Sequence, residues 1–205
     1  MNKKFLITGA SGFVGSQVLS NLLNKKIEVR VIVRKGKEKF FKDKSSKVEV
    51  IKTDDLFKES ADWWAEQCKG VDTVIHVAWY AETGKYLQST KNIDCLIGSL
   101  NLVKGAIRAG IKRFIGIGTC FEYDLHVGDL SINTPLKPTT PYAVAKAGLY
   151  TLLSCLLPSQ SIEFSWCRLF YLYGEGEDEK RLVPYLHKQL SNNEAVKLTS
   201  GKQIR

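Results

Sequence analysis

The sequence predicts an α/β protein built on a doubly wound parallel sheet, and three observations carry that reading. Short β-branched runs alternate with longer helical stretches along the whole chain, as in a parallel sheet covered on both faces. The glycine-spaced loop Gly9-Ala10-Ser11-Gly12-Phe13-Val14-Gly15 falls between the first such run and the first helical stretch. No repeat or low-complexity linker interrupts the alternation. Together these describe a Rossmann-like fold with right-handed crossovers.

The elements follow in order. Lys4 to Thr8 reads as a first buried strand, and Phe13 to Leu23 carries Val14, Val18, Leu19, Leu22 and Leu23 at helical spacing. Glu28 to Val33 is a second strand and Val48 to Ile51 a third, followed by a Trp- and Glu-rich helix around Ser60 to Cys68. Asp72 to Val77 is a fourth strand. A long helix from Thr90 to Ala109 ends at Gly110, a residue suited to a left-handed cap. Arg113 to Ile117 is a fifth strand. The loop Pro135 to Pro141 opens a helix from Tyr142 to Leu157 that Pro158 stops, and Ile162 to Leu169 is a sixth strand. A helix over Leu182 to Leu190 and a β-like run over Val196 to Leu198 complete the chain.

Composition limits the function classes. The 205 residues are 44% hydrophobic and 25% charged with only 5 Pro, which excludes a disordered, collagen-like or disulfide-stapled chain. No apolar run approaches the roughly 20 residues that span a bilayer. Met1-Asn2-Lys3-Lys4 lacks the cleavage site of a signal peptide, and five cysteines show no CxxC pairing. A cytoplasmic protein with reduced thiols and no membrane partner is expected. The net charge of +9 suggests an anionic partner, yet the basic stretch Arg34 to Lys47 reads as a solvated helix and loop. It has no stacking-aromatic motif, so no nucleic acid is expected as partner.

The glycine loop fits a tight strand-to-helix turn that lets a pyrophosphate approach the backbone. Gly9, Ser11, Gly12, Phe13, Val14 and Gly15 are therefore candidate cofactor-binding residues. After the second strand, an acid would accept hydrogen bonds from an adenosine ribose, but this chain has Arg34 and Lys35. Arg34 suits a 2′-phosphate, which favours NADP over NAD. Asp55, with Leu56 beside it, offers a carboxylate near the adenine edge or, alternatively, a helix cap.

Tyr142 and Lys146 lie at i and i+4 on one helix face, where an ammonium lowers the pKa of a nearby phenol. Such a pair exchanges a proton with an alcohol or carbonyl as hydride moves. Thr119, just past the fifth strand, reaches the same substrate oxygen. His76, His126 and His187 show no ligand spacing, so no metal site is expected. Cys120 reads as a structural thiol, Trp63-Trp64 as packing, and Glu175 to Glu179 as a solvated acidic loop.

With these motifs in colinear order, the chain resembles the extended short-chain dehydrogenase/reductase family, in its NAD-dependent, nucleotide-sugar epimerase/dehydratase branch. Gly9, Gly12, Gly15, Asp55-Leu56, Gly118-Thr119, Tyr142 and Lys146 match that pattern, as does Asp72 to Ala78. The resemblance implies that His76, Val77 and Ala78 pass beneath the cofactor, that Tyr171 lies in the sugar-nucleotide segment and that Arg205 contacts its diphosphate. It implies residues 1–170 as NAD(P)-binding domain and 171–205 as the start of a substrate-binding lobe belonging to a longer chain. A homodimer acting on a nucleotide-diphosphate sugar is the expected assembly.

Departures narrow the chemistry. Cys120 and Phe121 stand where dehydratases of the branch carry an Asp-Glu pair, which argues against 4,6-dehydration. Tyr171 and Cys95 replace usual asparagines. A 4-ketoreductase is expected, with a 4-epimerase holding NAD tightly, or a catalytically silent redox sensor, as alternatives.

Overall fold

The computed structural model describes residues 3–42 and 48–201. It divides into two compact units, Met1–Phe170 and Tyr171–Arg205. In the first, six parallel strands form one sheet in the order β3-β2-β1-β4-β5-β6. These are β1 (Lys4–Thr8), β2 (Glu28–Arg34), β3 (Val48–Thr53), β4 (Thr73–His76), β5 (Arg113–Thr119) and β6 (Glu163–Leu169). The helices are α1 (Phe13–Asn24), α2 (Ala61–Gln67), α3 (Lys91–Ala109), α4 (Pro141–Ser159) and, in the second unit, α5 (Leu182–Ser191).

Each face of the sheet buries its own apolar cluster, which is why the strands read as continuous β-branched runs. Leu6, Val74 and Phe114 join Trp64, Leu102, Leu149, Leu153 and Leu157 on the side of α2, α3 and α4. Ile7, Val31 and Ile75 join Leu19 and Leu22 of α1 on the other, with Phe41 from the basic stretch. Trp64 is fully buried and Trp63 packs edge-on against it at 4.9 Å, so the Trp pair serves packing. The strand order turns back between β1 and β4. In open parallel sheets ligands bind outside the carboxyl ends of the strands at such a switch point.

Local chemistry sets the helix ends. Ser60 caps α2 by accepting from the Trp63 N–H, Thr140 caps α4 through the Ala143 N–H, and Gly110 ends α3 at φ 72°. Three expectations are corrected. Pro158 does not stop α4 but lies inside its last turn; the turn still closes on the Gln160 and Ser161 N–H groups, which donate to Leu157 and Pro158. Val196 to Leu198 forms no strand, because the Lys197 N–H donates to the Tyr185 hydroxyl instead of to a ladder. Thr119 is the last residue of β5 rather than one beyond it, paired with Leu169 of β6.

Candidate active site

The glycine loop lies at that switch point, between β1 and α1. Gly9 has φ +74°, and a Cβ there would come within 2.7 Å of the Ala78 nitrogen, so β1 and the segment after β4 meet on bare backbone. A Cβ on Gly15 would overlap the Gly9 carbonyl, which fixes that glycine by packing. Gly12 differs. It has φ −88°, and an added Cβ would meet only the Gly9 oxygen at 3.4 Å. The protein itself leaves room at Gly12, at the start of a helix with no side-chain cap and no acid in its first turn. That cradle fits a dinucleotide pyrophosphate, whose oxygens would take the free N–H groups at Phe13 and Val14. Ser11 is exposed beside it.

Beneath the loop, His76 is locked in one neutral tautomer. Ala78 N–H donates to Thr8 Oγ1 at 3.2 Å, and that hydroxyl lies 2.8 Å from His76 Nδ1. The other ring nitrogen, Nε2, lies 2.7 Å from Ser99 Oγ, which donates to the Cys95 carbonyl. Because the Ser99 proton is committed to the Cys95 carbonyl, Nε2–H donates to Ser99 Oγ, and Nδ1 of the neutral ring accepts the Thr8 hydroxyl proton. Burial, with the Lys146 charge adding to it, pushes His76 down to about 3. It positions the β4 end rather than facing a ligand with its ring. Val77 packs on the α1-side cluster.

At the end of β2, Arg34 is exposed, and Lys35 is tied to Asp54 at 2.9 Å. Asp55 caps the short 3-10 turn Leu56–Lys58, its carboxylate accepting the Phe57 N–H at 3.1 Å. Leu56 packs into the main core. The cap alternative is thus the one the geometry displays for Asp55.

Thr119, Tyr142 and Lys146 converge where β5 ends against α4. Pro141 and the Thr140 cap start α4 so that Tyr142 falls in its first turn and Lys146 one turn on. The Thr119 side chain stands near enough to the Tyr142 phenol to favour its ionised form, against the larger effect of burial. Lys146, 2% exposed, donates from Nζ to the Ile117 carbonyl at 2.6 Å and stands 4.0 Å from the Trp79 ring centroid. Burial pulls its ammonium down to about 7, against the opposing pull of Glu122. Tyr86 meets the Tyr142 ring edge-on at 4.8 Å.

One expectation fails here. The Tyr142 phenol is raised above its ordinary range, not lowered, because burial dominates and Tyr86 adds to it. Lys146 is turned to Ile117 and Trp79, so the neutral phenol is the favoured form. Cys120 is buried with its thiol pushed up by that burial, in keeping with a structural role. Tyr171 opens the second unit and is 53% exposed; Arg205 lies outside the described residues. Among the described residues no group of three or more His, Cys, Asp or Glu could hold a metal ion. None of their helices is long and apolar enough to cross a membrane.

The sequence reading passed over Glu122. It is fully buried directly behind Thr119, and the spacing Thr119-Cys-Phe-Glu122 is the signal that pointed to it, a capping box. It also passed over Trp79 and Tyr86, whose place beside Tyr142 comes from the loop after β4.

A glycine-lined strand-to-helix turn at the switch point, with Thr, Tyr and Lys at the neighbouring strand end, defines a dinucleotide-binding short-chain oxidoreductase fold. The chain belongs to the NAD dependent epimerase/dehydratase family, whose model matches residues 5–205. It is 26% identical over 201 residues to dTDP-6-deoxy-L-talose 4-dehydrogenase (NAD(+)) from Aggregatibacter actinomycetemcomitans, covering 97% of this chain and 73% of that one. UDP-glucose 4-epimerase from Thermotoga maritima superposes with a TM-score of 0.77 at 19% identity, covering 97% of this chain and 66% of the other. A dTDP-glucose 4,6-dehydratase from Streptomyces venezuelae, solved with NAD bound, gives 0.75 at 22% identity, covering 93% and 62%. Other relatives are spanned for only 52% and 63% of their length.

Proposed function

We propose that this chain carries the dinucleotide-binding and proton-transfer half of a nucleotide-diphosphate-sugar oxidoreductase, acting at the sugar's 4-position as a ketoreductase. The observation that carries it is the convergence of the Thr119 hydroxyl, the Tyr142 phenol and Lys146 beside the cradle at Gly12. A bound nicotinamide dinucleotide would supply the hydride. Tyr142, held neutral by burial, gives its proton to the developing alkoxide, and Thr119 fixes the oxygen that receives it. Lys146 holds positive charge near the phenolate that this step leaves behind. The relative named as a 4-dehydrogenase favours C4 hydride chemistry. Dehydration is disfavoured, because Cys120 and Phe121 offer no acid pair and Glu122 is committed to protein donors.

NAD(H) is the cofactor for which the family and the 4-dehydrogenase relative are named. The finer preference for NADP(H) rests on Arg34 alone, since Lys35 is engaged by Asp54. A 4-epimerase is the second reading, favoured by a glycine cradle that also suits a permanently held NAD. Residues 171–205, with Tyr171 and Arg205, belong in this proposal to the sugar-nucleotide side. α3 and α4 expose Ile93, Ile97, Val144 and Leu152, the surface we assign to a homodimer. Five free cysteines, three of them buried, suit a cytoplasmic location.

The deciding experiment analyses the purified protein for nicotinamide and then screens nucleotide sugars with added NAD(H) or NADP(H). Firmly co-purifying NAD with interconversion of 4-epimers replaces the reductase reading by the epimerase. Dinucleotide binding without turnover of any sugar overturns both.

A further inference from the structure

We propose that Glu122 is a positioning residue for this site: its buried carboxylate fixes the backbone of Thr119 and so places the Thr119 hydroxyl against Tyr142. The assignment rests on the acid–base reading of Thr119 and Tyr142 given above.

Glu122 is fully buried, and four donor contacts converge on its two oxygens. Oε1 accepts the Thr119 N–H at 2.8 Å, Trp166 Nε1–H reaches Oε1 at 3.1 Å and Oε2 at 3.0 Å, and Arg168 Nε–H donates to Oε2 at 2.7 Å. Thr119 Oγ1 in return accepts the Phe121 N–H at 3.3 Å, which closes the turn on itself. Only an acceptor-only group satisfies such a set.

Neighbouring strands are shaped around this cluster. Gly116 pairs with Trp166 and Gly118 with Arg168 across β5 and β6. A Cβ on Gly118 would come within 2.5 Å of Glu122 Oε1 and would overlap the Trp166 indole nitrogen, and one on Gly116 would overlap the indole ring. Two glycines in a central strand cost stability relative to larger residues. Here they let the indole lie across β5 and reach the carboxylate. The Arg168 guanidinium is held 4.8 Å from the Tyr123 ring centroid and 4.3 Å from that of Tyr150, which sets its angle toward Glu122.

Packing alone does not call for this arrangement. A buried ion pair is weak evidence for stability, and apolar residues of similar volume commonly do as well. What an apolar replacement lacks is direction. The carboxylate aims one bond at the backbone of Thr119, and a misplacement of about 1 Å at a reacting group costs on the order of 100-fold in rate.

The test is Glu122→Gln, which keeps the volume but puts an amide N–H where a donor already stands. Thermal melting, kcat, KM for the nucleotide sugar, dinucleotide affinity and hydrogen exchange of the Thr119 amide are read together. The expected result is a folded protein with kcat lowered roughly 10- to 100-fold, dinucleotide affinity unchanged, and faster exchange at Thr119. Should that variant not fold, Trp166→Phe removes one donor while keeping the ring over Gly116, and a severalfold smaller kcat with faster Thr119 exchange is expected. A folded variant of either kind with parental kcat, or with lowered kcat but parental Thr119 exchange, overturns the proposal. If the parent turns over no nucleotide sugar, the acid–base reading falls while the exchange comparison still judges Glu122.

Discussion

The ammonium of Lys146 lies 4.0 Å from the centre of the Trp79 ring, and its nearest oxygen is the neutral carbonyl of Ile117, 2.6 Å away. An ammonium buried against an aromatic face and a carbonyl is held by quadrupole and dipole rather than by a contacting anion. That is a costly way to keep a charge, and it suits the proton-transfer role proposed for Lys146 better than a stabilising one.

Lys146→Met is therefore expected to stabilise the fold, by on the order of 1–3 kcal/mol at neutral pH, while abolishing turnover. The sign with pH follows from the lowered pKa. Between about 7 in the folded state and 10.5 unfolded, the unfolded chain binds more protons, so the Lys146 penalty fades as pH rises. Melting curves of parent and variant should differ most below pH 7 and converge above pH 10. A variant less stable than the parent at every pH would count against the assignment.

His76 gives the opposite experimental window. With its folded value at about 3 and the ordinary one at 6.5, its contribution is complete above pH 6.5 and is lost as pH falls toward 3. The slope from this one group is about 1.4 kcal/mol per pH unit. Nitrogen NMR should find a neutral Nε2–H imidazole at pH 5 in the folded protein. An imidazole titrating between pH 5 and 7 would refute the hydrogen-bond chain from Ala78 to Cys95.

Gly12 and Gly15 separate binding from folding. Gly15→Ala pushes a methyl into the Gly9 carbonyl and should cost about 1–3 kcal/mol. Gly12→Ala meets only a 3.4 Å contact and should melt within about 0.5 kcal/mol of the parent. Its dinucleotide affinity, read by nicotinamide fluorescence, should nevertheless fall by roughly tenfold or more through the lost close approach. Unchanged affinity in Gly12→Ala would remove the phosphate cradle.

Arg34→Ala distinguishes the two cofactors. Loss of a charged hydrogen bond to a 2′-phosphate should weaken NADP(H) by about 1–3 kcal/mol and leave NAD(H) nearly untouched. Equal effects, measured by titration calorimetry, would leave NAD(H) as the sole supported cofactor.

Much of this architecture was legible in the sequence because its signals are local. β1 is bounded by its β-branched run, Gly110 by its cap position, and the strand-to-helix turn after β1 by three glycines at spacing three. What escaped depends on distant partners. Glu122 takes its meaning from Trp166 and Arg168, 44 and 46 residues away, and only register places those opposite Gly116 and Gly118. Trp79 and Tyr86 reach Tyr142 from the segment between β4 and α3, where only the short 3-10 turn Tyr86–Gln88 breaks the irregular backbone and no periodicity can be read. The pKa of Tyr142 ran against expectation because spacing reveals that Lys146 is near but not where its ammonium points. Pro158 and the Val196 to Leu198 run failed for a related reason: which backbone groups find partners is settled by tertiary neighbours, not by residue type.

In the proposed function, Tyr142 delivers the proton in a nicotinamide-dependent reaction on a nucleotide sugar. Steady-state turnover of the identified sugar by the parent and by Tyr142→Phe, followed through nicotinamide absorbance, tests it most directly. The prediction is a loss of roughly 10²- to 10⁴-fold in kcat with dinucleotide affinity preserved; parental turnover in Tyr142→Phe would contradict it.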